Sequence, residues 1–83
     1  MTKEEIEAAF QRVDGLYDND ARFFLDRCER YPHLAKSPTS VKPPIVPGDH
    51  LSVRLSAGWR VWGFRDRGRR DRFIVQFGGR RFP

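Results

Sequence analysis

Residues 51–56 alternate without exception, Leu51, Val53 and Leu55 against Ser52, Arg54 and Ser56. A two-residue period of this kind belongs to a β-strand with one buried face. Ala57 and Gly58 then supply a tight turn, and residues 59–64 return as a second strand. With Leu51, Val53 and Leu55 turned inward, Trp59 and Val61 join them, and Arg54, Arg60, Trp62 and Phe64 are expected on the opposite face. Residues 66–71 read as a charged turn around Gly68. Residues 73–77 read as a third strand, with Phe73, Val75 and Phe77 inward and Ile74 and Gln76 outward.

Upstream the period changes. Thr2 and Glu5 have capping-box spacing, and Ile6, Ala9, Phe10, Val13, Leu16 and Tyr17 follow at helical intervals. Asp14-Gly15 offers an early end to this helix. Asp18, Asn19 and Asp20 offer caps for a second helix, whose apolar face is Ala21, Phe24, Leu25, Cys28 and Tyr31 and whose stop is Pro32. Phe23 lies off that face and has two readings, an extra core contact, which is favoured, or a contact for a partner. Pro38, Pro43, Pro44 and Pro47 then make residues 37–48 a proline-rich connector.

The expected architecture is an α+β domain, an N-terminal helical hairpin packed on a three- to four-stranded antiparallel sheet. Its parts are residues 1–36 (helical hairpin), 37–48 (connector) and 49–83 (sheet), within a single domain 1–83. A chain of 83 residues buries about 60% of the surface its unfolded form exposes. A second core is not expected.

Charge is unevenly placed. Residues 1–40 carry six Lys/Arg against eight Asp/Glu, and residues 41–83 carry ten against three. The expected binding surface is Arg54, Arg60, Trp62 and Phe64 together with Arg65, Arg67, Arg69, Arg70 and Arg72. Its arginines suit phosphates and its rings suit stacking, so nucleic acid, RNA or DNA, is the first partner to consider. The same arginines suit an acidic protein partner equally well.

Catalysis finds less support than binding. One cysteine and two histidines, with no paired spacing, give no metal site, and no cofactor motif is present. Cys28 falls on the apolar stripe of the second helix and reads as a small core residue. The acidic residues of the helices read as caps and a solvated face. A single cysteine and no signal-peptide pattern point to the cytoplasm, and no apolar run reaches membrane-spanning length.

The segment Leu51-Ser-Val-Arg-Leu-Ser-Ala-Gly-Trp-Arg-Val-Trp-Gly-Phe-Arg65, followed by a charged turn and Asp71-Arg-Phe-Ile-Val-Gln-Phe77, resembles the central hairpin of the RelE/ParE/HigB toxin superfamily. The resemblance implies a small toxin that cuts messenger RNA or inhibits DNA gyrase and is held by an antitoxin. It assigns Arg54 and Arg60 to phosphate binding or to charge stabilisation during cleavage. The chain differs from that family in lacking a strand before the helices and a Tyr or His in its last residues. The strand spacing also resembles a small SH3-like barrel, which needs about five strands.

Overall fold

In the computed structural model, described over residues 2–14, 19–44, 50–55 and 58–82, the chain is an α+β fold. Those residues form three helices and a four-stranded antiparallel sheet. The order is α1 (Lys3–Asp14), α2 (Asn19–Leu25), β1 (His33–Pro38), β2 (His50–Arg54), β3 (Trp59–Phe64), α3 (Arg67–Phe77) and β4 (Arg80–Phe82). The strands lie side by side as β2-β3-β1-β4, so β2 and β4 are the edges. Outside the described residues fall the expected contributions of Leu16, Tyr17 and Asp18, the Pro47-Gly48-Asp49 turn, and Ser56 and Ala57 of the hairpin tip.

The apolar stripes are buried where they are described, but α2 ends at Leu25, short of the expected stop at Pro32. The Glu5 amide donates to Thr2 Oγ1 at 3.2 Å, one half of the expected capping box. Ile6, Ala9 and Phe10 of α1 are buried, as are Ala21, Phe24, Leu25, Cys28 and Tyr31. The last two lie beyond α2, where the chain advances by i to i+3 bonds such as Cys28 N to Leu25 O and Tyr31 N to Cys28 O.

β2 and β3 pair as expected, Val53 opposite Val61 and Arg54 opposite Arg60. The Leu55 amide donates to Trp59 O at 2.7 Å, and Gly58 closes the turn at φ +78°. Val53, Leu55 and Val61 are buried against the helices, joined by Leu34 and Phe82 and flanked by Leu51 and Trp59. Gly63 is required on this face. A Cβ there would stand 2.9 Å from the Tyr31 carbonyl oxygen and 3.1 Å from the Phe24 ring.

Several expectations are overturned. Residues 33–36 do not end a helical hairpin, and the connector does not begin at residue 37, because β1 runs through both as a central strand between β3 and β4. Leu34 enters the helix-side core and Ala35 the opposite one. Lys36 is covered by placing its ammonium 4.4 Å from the Trp59 ring centroid, and Ser37 Oγ accepts a 2.8 Å bond from Trp62 Nε1. A strand buried on both faces shows no simple alternation.

The charged turn and third strand are one helix. Asp66 caps α3, its carboxylate accepting the Arg69 amide at 2.7 Å, and the Gly78 amide closes the other end on Ile74 O at 2.8 Å. Phe73, Ile74 and Phe77 then turn inward at helical spacing, whereas Val75, expected inside, is 88% exposed. By lying across the sheet, α3 creates the second core that was not expected, made of Ala35, Trp62, Phe64 and Phe73 and flanked by Val41, Ile74 and Phe77.

Candidate functional site

The helix α3 changes what the sheet can offer a partner. Trp62 and Phe64, expected on an open face, are 4% and 5% exposed, each with its ring centroid 5.1 Å from that of Phe73. They support the site from beneath. Arg54 and Arg60 remain at the hairpin end of the same face. Arg54 is exposed and has no acidic partner among the described residues. Arg60 donates from Nη1 to Ser52 Oγ at 3.0 Å and holds its guanidinium 5.7 Å from the Trp62 ring centroid. That geometry lays the stem over the aromatic core and leaves the charge at the surface.

A shallow hollow beside these arginines is lined by Asp20, Phe23, Ser52, Val53, Arg54 and Arg60. Phe23, for which a core contact was the favoured of two readings, is instead 58% exposed, with the Arg27 guanidinium 3.7 Å from its ring centroid.

Of the run from residue 65 to residue 72, residues 67–72 belong to α3 and Asp66 caps it. Arg65 donates to Tyr31 Oη at 3.4 Å and lies over that ring. Arg69 pairs with Asp66 at 3.1 Å, and the largely buried Arg70 pairs with Asp71 at 3.1 Å. Arg67 and Arg72 are exposed and have no acidic partner among the described residues. Arginines in a first turn sit at the positive end of the helix dipole, an arrangement that concentrates positive potential.

Nearby ionisable groups register that potential. Burial, and then the charges of Arg70 and Arg67, hold His33 below its ordinary pKa of 6.5. Burial pushes the Asp71 carboxyl up, but hydrogen bonding and charge from Arg70 and Arg81 outweigh it and leave the group below its ordinary value. Cys28 is a contrast. Burial pushes its thiol up to about 11, as expected for a core residue and unlike an activated nucleophile.

Between α3 and the start of β2 lies a cleft of about 390 Å³, lined by Pro43, Pro44, His50, Phe64, Arg69, Arg72, Phe73, Gln76 and Phe77. It gathers Phe64, Arg69 and Arg72 of the expected site but not Arg54, Arg60, Trp62, Arg65, Arg67 or Arg70. His50, Gln76 and Phe77 were missed by sequence reasoning. Extending the β2 alternation back by one step would have put His50 on the face of Ser52 and Arg54. Gln76 and Phe77 depended on recognising α3.

Among the described residues, no group of three or more His, Cys, Asp or Glu is placed to hold a metal ion, and no helix is long and apolar enough to cross a membrane. Comparison with known proteins gave no matching family model, no matching curated protein and no matching solved structure.

Proposed function

We propose that this chain is a nucleic-acid-binding domain that grips the sugar-phosphate backbone with Arg54, Arg60, Arg67 and Arg72. The observation that carries the reading is the state of these arginines. Arg54, Arg67 and Arg72 have no acidic partner among the described residues, while Asp66 and Asp71 are already occupied by Arg69, Arg70 and Arg81. Arginines left in this state supply the charge that phosphate neutralisation requires. Binding rather than catalysis is the proposed activity, with the cytoplasm as its compartment. In this reading α1 and α2 form a helical hairpin, supported by the edge-on contact of Phe10 and Phe24 at 5.7 Å.

A second reading, an acidic protein partner, is favoured by one observation. Val75 is 88% exposed beside a hollow that Arg80 and Arg81 of the edge strand β4 also line. An acidic strand laid along that edge would cover the valine and meet the arginines. A toxin of the RelE/ParE/HigB kind joins both readings. It requires growth arrest on expression, relieved by Arg54→Ala with Arg60→Ala, and harmless expression removes it.

Affinity capture from lysate, with and without nuclease, tests the proposal. Nucleic acid recovered at low salt and lost at high salt supports the main reading. Nuclease-resistant recovery of one defined acidic protein replaces it with the second.

A further inference from the structure

The cleft beside α3 combines ring surface with cationic and amide groups. Its volume of about 390 Å³ lies within the ~300–1,000 Å³ typical of small-molecule sites. Four rings run through it in a contact series: Phe77 to Phe73 at 5.1 Å, Phe73 to Phe64 at 5.1 Å and Phe64 to His50 at 6.0 Å. Phe64 and Phe73 are buried and form the floor, while Phe77 and His50 are half-buried and keep ring surface open. Arg72 and Gln76 are one helical turn apart on α3 and both line the cleft. Pro43 and Pro44 complete the lining and, without amide protons, offer a stiff wall with no backbone donor.

These groups fit a flat heterocycle with an anionic tail. The rings receive its π-face, the Gln76 amide can both donate to and accept from its polar edge, and Arg72 meets a phosphate. The surroundings extend the track. His50, Ser52 and Arg54 share one face of β2 and recur about every 6.8 Å along it, and Arg60 joins that row through its bond to Ser52.

The geometry points to a subsite for one unstacked nucleobase of a single-stranded nucleic acid. The base occupies the cleft, and the flanking phosphates lie on Arg72 at one side and on Arg60 and Arg54 at the other. This rests on the nucleic-acid reading above and adds to it a strand state and a base contact. A base inside a duplex is stacked and paired, so it enters such a cleft only after extrusion. A site that reads a π-face tolerates different bases, because every base has one.

Fluorescence anisotropy with three labelled probes decides the matter: a short oligothymidylate, an oligomer of abasic sites of the same length, and a duplex. The oligothymidylate binds about tenfold more tightly than the abasic oligomer, the loss expected from removing one stacked base. The duplex binds less tightly than the single strand. His50→Ala and Gln76→Ala weaken oligothymidylate binding toward the abasic level and leave abasic binding unchanged, with thermal melting verifying that both variants are folded. Equal affinity of wild-type protein for oligothymidylate and abasic oligomer overturns the base subsite and leaves the phosphate reading standing. Failure to bind any probe overturns both.

Discussion

Phe73→Ala tests the discovery that residues 67–77 are a helix closing a second core. Phe73 is 7% exposed and holds Trp62, Phe64 and Phe77 at centroid distances of 5.1 Å each. Truncation of a buried phenylalanine costs about 3–5 kcal/mol, and three lost aromatic contacts place this site toward the upper part of that range. At about 0.05–0.15 kcal/mol per residue, a domain of 83 residues has a total stability of only ~4–12 kcal/mol. The variant therefore loses a large share of its stability. Urea unfolding followed by tryptophan fluorescence measures the loss, because Trp62 sits in the affected cluster. Val75→Ala is the internal control. With its side chain exposed, it changes stability by less than about 0.5 kcal/mol. A cost below about 1 kcal/mol for Phe73→Ala, or a cost above about 1 kcal/mol for Val75→Ala, would refute the reasoning, since a strand with both side chains inward makes both truncations costly.

Three further outcomes follow from particular contacts. Gly63→Ala drives a Cβ to 2.9 Å from a backbone oxygen and destabilises the fold by about 1–3 kcal/mol, measured by the same unfolding experiment. Trp62→Phe removes the donor to the buried Ser37 hydroxyl and costs about 1–3 kcal/mol, with no loss expected from Trp59→Phe through that bond. His33 is held below its free value of 6.5, so between its folded and free values the unfolded chain binds more protons. Its contribution to stability is then complete above pH 6.5 and declines as pH falls through the folded value. His33→Gln flattens that decline in a pH series of melting curves, and an oligonucleotide phosphate on Arg67 raises the His33 pKa in an NMR titration.

The helix-facing half of the fold was legible in the sequence because each element there has one buried side. The stripes of Ile6, Ala9 and Phe10 and of Ala21, Phe24 and Leu25, and the alternation of Val53 and Leu55, all report one covered face. The other half was hidden for two physical reasons. In β1, Leu34 and Ala35 go to opposite cores, and Lys36 and Ser37 are buried by a ring contact and a hydrogen bond. Such a segment has no hydrophobic period to read. In α3, residues 73–77 satisfy a strand pattern and a helix pattern equally, as short apolar runs do. The deciding signals were Asp66 as a cap and Gly78-Gly79 as a stop.

The helix α3 also decides the site. Arginine positions were legible, since alternation placed Arg54 and Arg60 opposite the helices and the register pairs them. Trp62 and Phe64 share their face, yet α3 covers them, and alternation alone says nothing of a later element that caps a face. The cleft with His50, Gln76 and Phe77 exists only because α3 is there.

The central claim is that arginines without an acidic partner among the described residues neutralise phosphates, and its most direct test is the salt dependence of binding to a single-stranded oligonucleotide. Each neutralised phosphate contributes about −0.7 to the slope of log K against log salt concentration. Contacts by Arg54, Arg60, Arg67 and Arg72 therefore give a slope of about −3, and replacing Arg54, Arg60 and Arg72 by alanine leaves only the share of Arg67, about −0.7. A wild-type affinity insensitive to salt, or a slope unchanged in the triple variant, contradicts the account.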